Sequence, residues 1–322
     1  MAENVNNQSH GGERPAYYDY LSCPACWSRL SLTGSVLICD MCEQRFEILD
    51  GIPRMLCKFT PDENFSVSKW ERLYSVQLES TTYLHNELNR SKELYGQTTY
   101  SQLAEAIPIK DITYLEIGCG TFLMGQEIAN DCRLVIGVDY SRSALEVARR
   151  VFRERGISNY LLVQGDIRRL PIRSDSIDLV FGGGVIEHFR NRNETQCCLE
   201  EIRRVLVKDG VSINAVPYLN IGTLYRQIWG NIPDFPLIKQ LAELVHVTLL
   251  QGKHMVFGYE MSFTSRSLEK MHKRAGFKEV TVDRFETGLV FAFVPKRARK
   301  PLTWLAMNSR LFWPIVKAVA KK

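Results

Sequence analysis

At 322 residues the chain exceeds one ordinary domain and leaves room for a small module beside a main one. Hydrophobic residues make up 45% and charged residues 24%, a globular balance that excludes a wholly disordered chain. A net charge of +5 permits contact with nucleic acid or anionic lipid without demanding either. The polar start MAENVNNQSHGGERP lacks the apolar core of a secretory signal. No apolar run is long enough to span a bilayer. Nine cysteines without an export signal are expected to be thiols or metal ligands in a reducing compartment, so the chain reads as cytoplasmic.

Residues 1–18 read as a disordered leader. A cysteine-rich module follows over 19–60, with Cys23, Cys26, Cys39 and Cys42 forming two CxxC pairs twelve residues apart. Two such knuckles place four thiolates around Zn²⁺, and the metal replaces a core that so small a module cannot build. Neither pair opens a helix in a βαβ unit, as a thioredoxin-like redox pair would. Cys57, Cys119, Cys132, Cys197 and Cys198 lack ligand spacing and are expected to be buried thiols. Residues 61–110 read as a helical connector, with Trp70, Leu73, Tyr74 and Leu78 on one stripe that packs on the main domain.

From Asp111 the pattern changes. Strand-like runs at 112–118, 133–139, 160–166, 177–183 and 211–217 alternate with amphipathic stretches at 122–130, 142–155 and 194–207. This predicts an α/β fold: a doubly wound, Rossmann-like seven-stranded sheet, its ligand loops along the carboxyl edge of the strands. A helix is predicted over 264–275. Runs at 278–285 and 288–294 are expected to close the 111–295 domain as an antiparallel hairpin. Residues 218–262 interrupt the alternation and carry Tyr218, Tyr225, Trp229, Phe235, Phe257 and Tyr259. They read as a cap insert with either its own small core or an apolar acceptor pocket.

Three loops carry the binding chemistry. Gly118 and Gly120 allow a tight turn that exposes backbone N–H groups at a helix start. Asp139 ends the next strand nineteen residues after Gly120, where a carboxylate accepts both hydroxyls of a ribose. Asp166 and Ile167, after the third strand, suit an adenine. Glu187 and His188 follow the fourth; His188 is either a general base or a residue that orients its loop. His246 and His254 in the insert read as surface or packed histidines.

YLEIGCGT, VIGVDYS, QGDIRRLPIRSDSIDLVF, GVIEHF and LEEIRRVLVKDG together resemble the class I S-adenosylmethionine (SAM)-dependent methyltransferases, over residues 111 to about 293. The resemblance implies SAM as cofactor. It implies Glu116, Gly118 and Gly120 beside the methionine moiety, Asp139 on the ribose with Tyr140 following, Asp166 and Ile167 framing the adenine, and Gly183 in the loop that closes the pocket. Phe122 stands where the family often has a third glycine. A nicotinamide-binding Rossmann domain, the rival reading, needs that glycine more strictly. The run FEILDGIPRML after the second knuckle resembles the small zinc-ribbon proteins that activate methyltransferases as separate subunits. The ribbon is expected either to bind substrate or partner or to brace the catalytic domain.

The last segment, 296–322, mixes Trp304, Phe312 and Trp313 with arginines and lysines. It reads as a basic amphipathic tail, either a peripheral membrane anchor over 300–322 or a helix docked on the domain. Its aromatics are not interleaved with basic residues as an RNA stacking platform requires. The sequence therefore points to methyl transfer from SAM to a small-molecule, sugar-containing or lipid-like acceptor. The alternatives are an RNA base methyltransferase and a non-catalytic partner with a SAM fold.

Overall fold

The computed structural model describes residues 15–57, 65–78, 96–189, 191–220, 244, 261–286, 301, 304 and 306–322. The expected cap insert at 221–260, apart from Leu244, and the expected strand at 288–294 lie outside the described residues, as does residues 1–14 of the leader.

Strands β1 (Leu30–Thr33), β2 (Val36–Cys39), β3 (Arg45–Leu49) and β4 (Ile52–Met55) form the amino-terminal module. Helices α1 (Phe65–Leu78) and α2 (Gly96–Ala104) follow, where one helical connector was expected. The α/β alternation then runs β5 (Thr113–Ile117), α3 (Leu123–Ile128), β6 (Leu134–Asp139), α4 (Arg142–Glu154), β7 (Tyr160–Gly165), β8 (Ile177–Gly183), α5 (Arg192–Val205) and β9 (Leu206–Pro217). It closes with α6 (Ser265–Arg274), β10 (Glu279–Arg284) and β11 (Ile315–Lys321).

The order β7-β6-β5-β8-β9-β11-β10 places β5 centrally, and every residue of β5 is buried. A strand covered on both faces is near-continuously apolar, which is why TYLEI and LVIGVD read as runs, with Thr113, Glu116 and Asp139 each hydrogen-bonded. β5 to β9 pair in parallel, while β11 runs antiparallel to both neighbours. The carboxyl ends of β5 to β9 therefore share one edge. Helix starts are fixed locally: the Ser141 hydroxyl accepts from the Ala144 N–H at 3.1 Å, and Thr264 and Ser267 form a capping box.

The carboxyl-terminal segment departs from expectation. Ile315–Lys321 is neither an interfacial anchor nor a docked helix; it is β11, inserted between β9 and β10. Val316, Ala318 and Ala320 are fully buried on one face. The lysines that suggested lipid contact are engaged by protein: Lys322 Nζ donates to Asp175 Oδ1 at 2.6 Å and to the Leu206 carbonyl at 2.7 Å. Lys317 Nζ lies 3.6 Å from Glu105. β10 pairs antiparallel with β11; the run at 288–294, expected to form a hairpin with it, lies outside the described residues. Among the described residues no helix is long and apolar enough to cross a membrane.

The amino-terminal module extends the same sheet. β4 pairs in parallel with β7, Arg54 opposite Gln164 and Met55 opposite Gly165. The end of the expected leader is ordered: Ala16–Tyr20 form a 3₁₀ turn, and Tyr18 is buried. Tyr18, Leu21, Leu30, Leu37, Phe46 and Met55 share one apolar cluster with Leu161, Leu170 and Ile172 of the main domain. Trp27 Nε1 donates to Glu201 Oε2 at 3.4 Å, and its ring lies 5.4 Å from the Arg169 guanidinium and 5.6 Å from that of Arg204. The module is thus packed onto the loop between β7 and β8, not tethered beside it.

Candidate active site

β5 ends in a turn whose backbone alternates into the left-handed region at Gly118 (φ 55°), Gly120 (φ 51°) and Phe122 (φ 56°). A side chain at Gly118 would strike Val185, with its Cβ 2.8 Å from a Val185 methyl. One at Gly120 would strike Tyr74, 2.8 Å from the hydroxyl. Both positions therefore need glycine for space as well as for backbone geometry.

Phe122 keeps the third left-handed position without being glycine. Its ring is fully buried, stacked between Tyr114 (centroids 6.4 Å apart, planes at 5°) and Phe152 (5.1 Å, 15°). The bulk is absorbed by the core beneath the turn. A left-handed non-glycine residue costs about 1–2 kcal/mol, and burying a phenylalanine ring returns about 1.5–3 kcal/mol. Phe122→Ala is expected to destabilise the protein by about 3–5 kcal/mol in urea unfolding. A loss below about 1 kcal/mol would mean that the ring does not hold the turn.

Asp139 stands at the end of β6 beside this turn. Its Oδ2 accepts from the Gly120 N–H at 2.7 Å and its Oδ1 from the Ser141 N–H at 2.7 Å. Each oxygen retains a lone pair for a ligand hydroxyl. Removal from water pushes its pKa up to about 6, against the pull of these N–H donors. The Tyr140 carbonyl accepts from Gln164 Nε2 at 3.0 Å, which ties the loop to β7.

Glu116 faces the start of α3. Its Oε2 accepts from the Gly125 N–H and from the Tyr114 hydroxyl, both at 3.0 Å, and burial raises its pKa to about 8. This carboxyl group fastens the helix start to the strand end. Asp166 is also engaged. Arg168 reaches both of its oxygens, the closest contact being 2.6 Å from Nη2, and Arg168 Nη1 donates to Glu194 Oε1 at 2.8 Å. An adenine amine at Asp166 would share oxygens that already serve this pair. Ile167 is half-buried beside it.

Gly183 ends β8, and the 3₁₀ turn Ile186–His188 follows. The Glu187 carbonyl accepts from the Met261 N–H at 2.8 Å. His188 is half-buried, and its ring centroid lies 5.9 Å from that of Trp70 in an edge-to-face contact. No motif in α1 signals that the helix reaches this edge. Its helical spacing was legible, but the face it presents was not. Trp70, Tyr74 and Leu78 are half-buried, whereas Leu73, expected on the same stripe, is 42% exposed. Arg168 was missed as well; an arginine two residues after a loop aspartate was the available signal.

The four knuckle cysteines converge, with all Sγ atoms within 4.8 Å of one another. Cys23 and Cys42 sulfurs are 3.6 Å apart, Cys26 and Cys39 3.4 Å, and Cys26 and Cys42 3.6 Å. A tetrahedron of thiolates at a Zn–S distance of about 2.3 Å has edges of about 3.8 Å, so the set fits such an ion. Each knuckle turns through a left-handed residue, Trp27 (φ 57°) and Glu43 (φ 58°), whose N–H reaches back to the first cysteine carbonyl. Cys57, Cys119, Cys132 and Cys198 are buried as expected, but Cys197 is exposed, on the outer face of α5.

Residues 115–213, from β5 into β9, match the methyltransferase domain family. Over this span the chain carries a class I SAM-dependent methyltransferase domain. Among relatives, a demethylmenaquinone methyltransferase of Lactococcus lactis is 25% identical over 229 residues, 66% of this chain and 82% of its own length. The uncharacterised methyltransferase YcgJ of Bacillus subtilis is 32% identical over 99 residues, and the match covers 30% of this methyltransferase and 37% of the relative. In fold, the methyltransferase resembles a chain of the solved complex between the Haloferax volcanii Trm112 methyltransferase activator and a putative methyltransferase. The TM-score there is 0.52 at 15% identity, covering 79% of this chain and 97% of that one.

Proposed function

We propose that the methyltransferase transfers a methyl group to a small, apolar, quinone-like acceptor at the carboxyl edge of its sheet. The observation that carries the donor site is Asp139: a carboxylate with open lone pairs, held by N–H donors against a glycine turn. When bound, SAM supplies a sulfonium-activated methyl group, which needs alignment more than chemical help. Asp139 accepts the ribose hydroxyls, with Tyr140 completing the loop around the ribose. Ile167 and Asp166 flank the adenine. Glu116, Gly118 and Gly120 shape the methionine end, and Gly183 borders the methyl position. His188, on the same edge, takes the proton that the acceptor loses.

The acceptor class rests on the Lactococcus relative, whose similarity extends well beyond the matched domain. It is supported by where the aromatic insert leaves and rejoins the fold. The Leu219 N–H donates to the Phe263 carbonyl at 2.8 Å and the Phe263 N–H to the Pro217 carbonyl at 2.9 Å, so both ends of the insert meet at the end of β9. For the ribbon, we propose a structural Zn²⁺ held by Cys23, Cys26, Cys39 and Cys42. The ribbon braces the loop that carries Asp166, in one chain with its catalytic domain.

The test is turnover. Isotopically labelled SAM with a demethylated quinone supplied in its reduced, quinol form should give a labelled, methylated quinol; label transferred only to RNA would overturn the acceptor reading. Binding should also depend on pH. Ribose hydroxyls donate to the ionised form of Asp139, whose pKa is raised to about 6 in the free protein. Ligand binding is therefore full above that value and weakens by about tenfold per pH unit below it. Calorimetry at about pH 7.5 and about pH 5 checks this; equal affinity at both would contradict the role of Asp139.

A further inference from the structure

We infer that Trp70 and Tyr74 on α1 form an aromatic wall that recognises the positive charge of the donor's sulfonium. The inference rests on the donor site proposed above.

α1 is seated on the catalytic domain by specific contacts. Its Glu71 Oε1 accepts from the Ser143 hydroxyl at 2.6 Å, and the Leu78 carbonyl accepts from Arg150 Nη1 at 3.3 Å. Trp70 and Tyr74, four residues apart, share one helix face. Their rings stack with centroids 6.1 Å apart and planes at 24°. At one end the Tyr74 hydroxyl rests on Gly120, 2.8 Å from where a Cβ would stand. At the other, Trp70 meets His188 at 5.9 Å. The pair thus spans the interval from the glycine turn to the base, which is where the sulfur and its methyl group must lie if Asp139 holds the ribose.

Aromatic faces attract cations, tryptophan most strongly, and the attraction grows when water is excluded. The donor carries a sulfonium charge; the thioether product does not. A wall of this kind holds the donor more tightly than the product at the same contact area, and so favours product exchange. It also gives Gly120 a second reason to lack a side chain, since Tyr74 occupies that space.

The test compares affinities for SAM and for S-adenosylhomocysteine, by calorimetry, in the full chain and in Trp70→Leu, Trp70→Phe and Tyr74→Phe. Trp70→Leu should weaken SAM by roughly five- to thirtyfold, the range of a desolvated cation–aromatic contact, and leave S-adenosylhomocysteine within about twofold. Trp70→Phe, which keeps an aromatic face, should retain most of the discrimination, and Tyr74→Phe should keep the ratio. Equal weakening of both ligands by Trp70→Leu, or an unchanged ratio, would overturn the inference and reduce Trp70 to packing. If the unaltered chain binds neither ligand, the donor site itself fails, and this wall with it.

Discussion

Asp139→Ala is expected to abolish SAM binding while the protein remains folded. Two ribose hydroxyls donating to a carboxylate contribute about 1.5–3 kcal/mol each, so their loss costs about 3–6 kcal/mol, at least about a hundredfold in affinity. The same carboxylate receives the Gly120 and Ser141 N–H groups at 2.7 Å, so the alanine variant also loosens the glycine turn and the start of α4. Asp139→Asn keeps one oxygen acceptor and loses the charge, and should fall between the two. Calorimetry reads the affinity, and urea unfolding confirms that the variant is folded. Undiminished affinity in a folded Asp139→Ala protein would remove the ribose from this position.

Removing the metal from the ribbon should have the largest effect on stability. Structural zinc contributes on the order of 10 kcal/mol to modules too small for a full core, comparable to the whole stability of a typical domain. The damage should not stay local. β4 supplies the hydrogen-bonding neighbour of β7, and Trp27 sits against Arg169 on the loop that carries Asp166 and against Glu201 and Arg204 on α5. Chelation, or Cys39→Ser, is therefore expected to lower the melting temperature by tens of degrees or convert one transition into two. It should also raise amide exchange along β7 and weaken SAM binding. Metal analysis should find one Zn²⁺ per chain. A melt unchanged after complete removal of metal would show that the ribbon does not need it.

Much of this arrangement was legible in the sequence because its signals are local. Alternating apolar runs and amphipathic stretches gave β5 to β9 and α3 to α6 to within a few residues. The spacing of Cys23, Cys26, Cys39 and Cys42 brings four thiols together, and that of Asp139 from Gly120 sets the carboxylate beside the glycine turn. What escaped depends on long-range partners. A run of apolar residues with lysines describes an interfacial helix as well as it describes β11. The pairing with β9 and β10 decides between them, and Asp175, Glu105 and the Leu206 carbonyl, distant in sequence, engage the lysines. Phe122 looked like an obstacle because a left-handed backbone can be judged only with its surroundings, here the rings of Tyr114 and Phe152. The ion-pair network that joins Asp166 to Arg168 and Arg168 to Glu194 is one that no spacing rule reveals. The orientation of α1, with Trp70 and Tyr74 turned to the site, follows from packing on α4 rather than from its own periodicity.

The most direct test of the central claim is a calorimetric titration of the full chain with SAM, alongside a nicotinamide dinucleotide. Saturable binding of SAM at one site per chain and no measurable binding of the dinucleotide are expected. Binding of the dinucleotide with none of SAM would contradict the claim.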